Sequence, residues 1–165
     1  MEGFDFMLNE QLVQGAFLTT ECDGKANSMT IGWGMEGRCW NRPVFIAMVR
    51  PSRYTFELMQ KAKTFTVSIP REGEMKDALV HFGKVSGRSE NKFRSCSMIL
   101  SDAKEITGKI IEGCEYHYEC KVLFSQQMDP SCFVGTDSLQ HAFYPQGDYH
   151  YIIFGEIVAK YDSKC

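Results

Sequence analysis

The distribution of apolar and polar residues along the chain predicts mainly β-strands in its first third. Gln11 to Glu21 is rich in Leu, Val, Phe and Thr, and it precedes Asp23-Gly24, a pair typical of a hairpin turn. Ala26 to Trp33 fits the returning strand, and Val44 to Val49 forms a third apolar run. No helical pattern separates the first two strands, which argues against a doubly wound parallel sheet.

Two short segments show helical spacing instead. The first is Tyr54 to Lys61. The second is Glu74 to Val85, in which Met75, Leu79 and Phe82 are four and three residues apart and therefore share one helical face. A polar loop follows, and we expect it to lead into a third short helix.

The rest of the pattern is again β-like, with irregular connections. We expect the connections to be a loose glycine-containing stretch over 32–37, a poorly patterned segment over 97–113 and a long surface excursion over 127–146. The further strands are predicted at Phe65 to Ile69, Lys109 to Ile111, Tyr116 to Gln126 and Tyr149 to Tyr161, the last bent at Gly155. The sum is a mainly β protein, a barrel or sandwich of antiparallel strands with short helices.

Composition and charge narrow the class of protein. The 165 residues suffice for one domain with a hydrophobic core, and 44% of them are hydrophobic. A net charge of −3 gives no general attraction to nucleic acid or to an anionic membrane. No apolar run is long enough to span a bilayer, and the first residues lack the basic region of a secretory signal. We therefore expect a cytoplasmic protein without nucleic-acid or membrane partners.

The cysteines give no sign of a disulfide framework or a metal site. There are seven of them, an odd number, and no C-x-x-C pair occurs, so buried free thiols are the expectation. Cys114, His117 and Cys120 are close in sequence. Side chains alternate between the faces of a strand, however, so His117 would face away from the two cysteines. We predict no metal ligands.

Familiar catalytic and dinucleotide motifs are also rejected. Gly32 to Gly37 is a literal G-x-G-x-x-G, but that fingerprint must open a helix whose N-terminus holds a pyrophosphate. Here the glycines lead to Pro43 and another strand. No G-x-S-x-G nucleophile motif occurs. We predict no side chain that acts as a nucleophile or general acid.

Arg50-Pro51-Ser52-Arg53, between a strand and a helix, is the stretch with the clearest binding chemistry. The N–H groups of a first helical turn and two guanidinium groups suit an anion such as phosphate. A capped turn with two solvated arginines is the alternative, with Ser52 or Thr55 as the cap. The local pattern alone favours the capped turn.

Five sequence blocks form a recognisable order along the chain. They are Asn27 to Trp33, Arg50 to Thr55, Phe65 to Pro70, Gly83 with Ser86 to Arg88 and Asn91 to Phe93, and Tyr149-His150 with Gly155 to Ile157. Together they resemble the flavin reductase-like FMN-binding proteins of the split-barrel fold, and within that family flavoredoxin most of all. One departure is Asn91, which stands where the family usually has Asp.

The resemblance implies a single domain over 1–165, a Greek-key antiparallel split barrel, and one non-covalent FMN near a homodimer interface. Trp33 and its strand would line the flavin ring, and Arg50, Ser52, Arg53 and Thr55 would hold the ribityl phosphate. Lys92 and His150 would bring donors toward the phosphate or the polar edge of the ring. The full set of cofactor-binding residues that it implies is Asn27, Met29, Thr30, Ile31, Gly32, Trp33, Arg50, Ser52, Arg53, Thr55, Ser68, Ser86, Gly87, Lys92 and His150.

Three functions remain open at this point. The first is an FMN-dependent oxidoreductase that takes electrons from NADH or NADPH and passes them to a flavin or another acceptor. The second is a one-electron carrier, like flavoredoxin, fed by a redox protein partner. The third is a β-barrel binding module without redox chemistry. In the first two, FMN carries the chemistry and the protein positions and tunes it, which agrees with the lack of catalytic motifs.

Overall fold

A computed structural model describes residues 10–135 and 137–163, and seven of its strands form one antiparallel sheet. The order across this sheet is β2-β1-β5-β8-β9-β4-β3, and β6 and β7 form a separate hairpin. The strands are β1 (Ala16–Cys22), β2 (Lys25–Ile31), β3 (Gly34–Cys39), β4 (Arg42–Val49), β5 (Thr64–Ile69), β6 (Leu100–Asp102), β7 (Lys109–Ile111), β8 (Tyr116–Gln127) and β9 (Tyr151–Asp162).

Short helices connect the strands. The first, α1, covers 10–14. The others are α2 (Tyr54–Ala62), α3 (Lys76–Lys84), α4 (Lys92–Ser95) and α5 (Asp137–Phe143), with a 3-10 turn at Pro130–Cys132. No helix in the described ranges is long and apolar enough to cross a membrane.

One hydrophobic core joins the two ends of the sheet. Ile31 from β2, the strand at one end, packs in the same cluster as Phe45 from β4, the strand next to the other end, and Val67 and Ile153 come from strands between them. A flat sheet would keep these residues apart, so the sheet is curved into a barrel around them. A second cluster, which includes Phe17 and Phe82, packs α3 against β1.

The structure confirms most of the predicted elements. The hairpin turn lies at Asp23 and Gly24, both with positive φ, and pairs Cys22 with Lys25. The predicted helices correspond to α2, α3 and α4, and the strand predicted at Lys109 to Ile111 is β7. The mainly antiparallel β fold with short helices is therefore confirmed.

The prediction that a strand runs from Gln11 was wrong. Residues 10–14 are helical, and Gly15, with a φ of +105°, separates this turn from β1. Its N–H group donates to the Gln11 carbonyl at 3.1 Å. Leu12 is buried whereas Val13 is 87% exposed. The apolar run that was predicted to be a single strand therefore consists of one turn of helix followed by β1.

Two segments that were predicted to be irregular also contain regular secondary structure. Residues 34–39, expected to be loose, form edge strand β3, which pairs with β4 from Gly34–Ala47 to Cys39–Arg42. An edge strand with a largely exposed face has little apolar pattern, so the sequence gives a weak signal there. The excursion over 127–146 contains the 3-10 turn and α5.

The expected bend of the last strand corresponds to irregular pairing beside Gly155. The β8–β9 register shifts between Val122 and Phe124, next to the pair Val122–Gly155. A side chain on Gly155 would overlap the ring of Phe65 and the Cβ of Cys120, so only glycine fits there. This close packing holds β9 against the core.

Candidate functional site

A cavity of about 260 Å³, here called the anion pocket, lies where β4 ends and α2 begins. Its lining combines basic, hydroxyl and amide side chains with a few apolar ones. The basic members are Arg50, Arg53, Lys84, Arg88 and Lys92, and the other polar members include Asn27, Ser52, Thr55, Ser86 and Asp148.

Arg50 follows the last residue of β4 and ties that strand to the segment after α5. Its Nη1 donates to the Asp148 carbonyl at 2.5 Å, and its Nη2 donates to the Phe143 carbonyl at 2.8 Å. Its guanidinium also lies 5.1 Å from the centre of the Tyr144 ring. A guanidinium has five N–H donors, so Arg50 holds these groups and retains donors for an anion.

The start of α2 brings further donors to the same place. Arg53 is the N-cap residue, but its side chain does not cap the helix; it donates instead to the Gly83 carbonyl at 2.8 Å. The expected caps are also absent here: Ser52 Oγ donates to Asp148 Oδ2 at 2.8 Å, and Thr55 Oγ1 accepts from Asn27. The first turn of α2 therefore lacks a side-chain cap beside a basic cavity.

Asn27 and Gly87 form one wall of the pocket. The Asn27 amide donates to Thr55 Oγ1 at 2.8 Å, which links β2 to α2. Gly87 approaches Asn27 so closely that a Cβ on residue 87 would overlap the amide. This position thus requires glycine for contact reasons, since Gly87 is not among the positive-φ glycines.

Lys92, the first residue of α4, is a buried cation in this wall. It is only 3% exposed, and its Nζ donates to the carbonyls of Ser28 at 2.6 Å and Phe82 at 3.2 Å. Burial, followed by the positive charge of Arg53, lowers the pKa of Lys92 to about 8. It still carries its charge at pH 7 for the most part, so it adds to the positive potential of the pocket.

A second cavity of about 230 Å³, here called the aromatic pocket, adjoins the first. Met29, Arg50 and Arg53 line both cavities. The rest of the lining comes from the end of β2 and the two residues after it, from β4, from α5 and from the residue before β9. These residues are Thr30, Ile31, Gly32, Trp33, Met48, Phe143 and His150.

Trp33 is the centre of this aromatic group. Its ring centroid lies 5.0 Å from that of His150 and 5.1 Å from that of Phe143. Trp33 is 38% exposed and Phe143 is 46% exposed, so the pocket opens to the surface. A partly exposed aromatic wall of this kind suits a flat ring.

His150 is buried beside this wall and is neutral at pH 7. Its Nδ1 shares a hydrogen bond with the Tyr144 hydroxyl at 2.9 Å. Burial, followed by the positive charge of Arg50, lowers the pKa of His150 to about 4. His150 therefore offers the pocket a hydrogen-bonding ring rather than a positive charge.

The structure brings every predicted site residue except Ser68 to one of these two pockets. Ser68 lies elsewhere: its Oγ accepts from the Ile111 N–H at 3.1 Å and lies 3.1 Å from His117 Nδ1. Its neighbours Val67 and Ile69 face the barrel core. Ser68 therefore occupies the opposite face of β5, as strand alternation requires, and its inclusion was an error.

Several lining residues were not foreseen. Tyr54 and Arg88 lie within the quoted sequence blocks. Arg88 Nη2 donates a hydrogen bond to Glu57 Oε2 at 2.8 Å. Phe143 and Asp148 come from the end of the excursion and its connection to β9, where the sequence shows no regular periodicity. Tertiary contacts with Arg50, Ser52 and Trp33 place that segment at the pockets.

Comparison with known proteins agrees with this geometry. Residues 14–164 match the model of the flavin reductase like domain. An uncharacterized protein of Archaeoglobus fulgidus is 30% identical over 112 residues, which is 67% of this chain and 62% of the relative. The chain thus spans less than two thirds of the length of the curated relative that it matches.

Solved structures with the same fold include two flavoproteins. The flavoredoxin of Methanosarcina acetivorans is 26% identical, with a TM-score of 0.68 over 89% of this chain and 67% of that one. An FMN-binding protein of Thermus thermophilus, solved with bound 1-cyclohex-2-enone, has a TM-score of 0.70 at 23% identity, over 91% of this chain and 70% of that one. The expected split-barrel fold is confirmed. The family model matches nearly the whole chain, and all the predicted site residues but Ser68 line the two pockets. This protein therefore belongs to the flavin reductase like domain family.

Proposed function

We propose that this protein binds FMN across the anion and aromatic pockets and acts as an oxidoreductase that takes electrons from a reduced nicotinamide. The observation that carries the proposal is the junction of the two pockets through Met29, Arg50 and Arg53. A cationic cavity adjoining an aromatic one matches a ligand with a phosphate at one end and a flat ring at the other.

The anion pocket has the donor chemistry that a ribityl phosphate requires. Arg50 and Arg53 supply guanidinium donors, Lys92 supplies a buried charge, and Ser52 supplies a hydroxyl. Gly87 also lines the pocket, and because a Cβ there would overlap the Asn27 amide, its backbone is not covered by a side chain. Such sets of charged and backbone donors are typical of phosphate sites.

The aromatic pocket fits the ring end of the same ligand. Trp33 and Phe143 supply apolar surface, and the consecutive residues 29–33 line the pocket. FMN, when bound, accepts electrons in pairs or singly and passes them on. The role of the protein is then to hold the ring, to surround it with Trp33 and the neutral His150, and to leave one side accessible.

Access to that side supports a nicotinamide donor. The aromatic pocket opens to the surface beside exposed Trp33 and Phe143, which leaves a flat donor a route to a ring held there. No separate dinucleotide motif is needed in such an arrangement. We propose NADH or NADPH as the donor on this basis, with a flavin or another small molecule as acceptor.

A one-electron carrier is the second candidate, supported by the similarity to a flavoredoxin at 26% identity. A carrier needs only an accessible ring edge and a surface for its redox partner. It would not oxidise nicotinamides. The two functions therefore differ in one measurable property, direct reduction by NADH or NADPH.

The proposal includes a homodimer. A largely apolar groove of about 580 Å³ lies along β8, β9 and the segment before α5, and Val134 beside it is 89% exposed. An exposed groove with largely apolar lining supports self-association. Helix α5 contributes Leu139 to the groove and Phe143 to the aromatic pocket, so a partner subunit on the groove would lie near the flavin.

The visible spectrum of the purified protein, before and after anaerobic NADH or NADPH, tests the function. Oxidised flavin absorbance that is lost within seconds supports the reductase. Absorbance that persists with both nicotinamides but is lost with dithionite favours the carrier. A protein that takes up no FMN refutes both and leaves a binding module without redox chemistry.

A further inference from the structure

We propose that Asp148 competes with phosphate for the anion pocket and so sets how strongly the site prefers a phosphorylated flavin to an unphosphorylated one. The inference deepens the proposed function and depends on it for the flavin, but it concerns a residue outside the family motifs quoted above. It begins from the position of one carboxylate among donors that suit an anion.

The Asp148 carboxylate occupies one group that would bind phosphate and lies near a second. Its Oδ2 accepts from Ser52 Oγ at 2.8 Å and lies 3.9 Å from Arg50 Nη1. Its side chain is 32% exposed, so it lies at the opening of the pocket rather than in the core. A carboxylate and a phosphate use the same donors, and the two anions repel each other.

Asp148 is also the one acidic residue in the described lining of the anion pocket, which otherwise contains five basic residues. An entering phosphate must therefore either displace Asp148 from Ser52 or accept a like charge a few ångströms away. Both cost binding free energy, and neither affects a ligand without a phosphate. Removal of this one charge should thus favour FMN and leave riboflavin unaffected.

The backbone of Asp148 has a separate role that a substitution preserves. Its carbonyl accepts from Arg50 Nη1, and every residue type provides that carbonyl. Asp148→Asn keeps an acceptor for Ser52 and removes the charge. Asp148→Ala removes the charge without adding the amide donor of Asn, so agreement between the two variants isolates the effect of charge.

The test measures dissociation constants for FMN and riboflavin by quenching of flavin fluorescence. We expect both variants to bind FMN about five- to tenfold more tightly than the wild type, with riboflavin affinity changed less than twofold. Asp102→Asn, on the β6–β7 hairpin, is the matched control, because it removes the same charge at a site outside both pockets. It should leave both affinities unchanged.

An unchanged ratio of FMN to riboflavin affinity, or weaker FMN binding in both variants, overturns the role of Asp148 while the proposed function stands. If the wild type binds neither flavin, the proposed function fails instead. In that case, the role of Asp148 is tested separately by measuring the Tm of each protein with and without inorganic phosphate. A larger rise in Tm for Asp148→Asn and Asp148→Ala than for wild type supports the competition, and equal rises refute it.

Discussion

The side-chain amide of Asn27 lies so close to Gly87 that a methyl group on residue 87 would overlap it. Gly87→Ala must therefore displace Asn27 and strain its hydrogen bond to Thr55. We expect FMN binding to weaken about tenfold, because one buried hydrogen bond is lost and Asn27 moves within the pocket lining. Titration of the protein with FMN measures this change.

Gly37→Ala is the matched control for this prediction. Gly37 lies on edge strand β3, and a Cβ there meets no heavy atom within 4 Å. Its FMN affinity should equal that of the wild type. If Gly87→Ala also binds FMN normally, the Asn27 wall does not contribute to the site.

Arg50 and Arg53 test which end of the flavin lies in the anion pocket. Replacing both with Ala removes two guanidinium groups from its lining, so FMN binding should weaken at least about 100-fold. Riboflavin lacks the phosphate and should lose less than about tenfold. The comparison requires dissociation constants for both ligands.

A double variant at Arg42 and Arg71 controls for the loss of two positive charges. Both side chains are more than half exposed and make surface ion pairs, with Glu156 and Glu115. This variant should retain both flavin affinities. Equal losses for FMN and riboflavin in the Arg50/Arg53 variant would show that these arginines do not bind the phosphate.

Glu119 has a structural role away from the two pockets, and a substitution there tests that role. Its buried carboxylate accepts from the N–H groups of Lys104, Glu105 and Ile106 and from the Tyr161 hydroxyl, which fixes the loop before β7. Glu119→Gln places an amide against these donors and should lower the free energy of unfolding by about 3 kcal/mol. Urea denaturation measures it.

The exposed Glu112→Gln serves as the control and should change stability by less than about 0.5 kcal/mol. FMN affinity should be unchanged in both variants at temperatures where they are folded. A stable Glu119→Gln protein would mean that the loop is held by other contacts.

His117 predicts a dependence of stability on pH. Burial lowers its pKa to about 4, against an ordinary value near 6.5, while nearby Glu119 opposes the shift. Above pH 6.5 neither state binds the proton. Between pH 6.5 and 4 the unfolded chain binds it and the folded chain does not, so stability falls by about 3 kcal/mol at most from this group.

Unfolding in urea at pH 7.5 and pH 5 measures this loss. His117→Asn should show a smaller difference between the two pH values than wild type, whatever its absolute stability. The exposed His141→Asn is the control and should keep the wild-type difference. An unchanged difference in His117→Asn would assign the acid sensitivity to other groups, His150 among them.

The apolar groove predicts the oligomeric state. Val134→Glu with Leu139→Glu places two charges on its surface, so light scattering should report one chain where the wild type shows two. Val13→Glu with Val80→Glu changes two other exposed apolar residues and should remain dimeric. A dimeric groove variant would place the interface elsewhere.

The sequence identified the parts of the site that depend on local order. Arg50 to Thr55 connect β4 to α2, and Asn27 to Trp33 lie in β2 or directly after it, so each block forms one continuous side of the adjoining pockets. Their positions therefore followed from the motif. Their role toward FMN stays a prediction until binding is measured.

The parts that could not be predicted depend on tertiary contacts. Asp148 and Phe143 reach the pockets because Arg50 binds their carbonyls, and those contacts join residues more than 90 positions apart. Ser68 shows the opposite error, a motif residue that strand alternation turns away from the site. The apolar neighbours Val67 and Ile69, which face the barrel core, already indicated that Ser68 lies on the other face of β5.

Strand β9 and the residues before it have a consequence for when the two pockets can form during synthesis. The β3–β4 hairpin joins the rest of the large sheet through β9 alone, because β9 lies between β8 and β4. Asp148 and His150, which line the anion pocket and the aromatic pocket, lie directly before β9. Both pockets therefore lack part of their lining until this end of the chain has been synthesised, and a nascent chain that stops before it would expose an unfinished site.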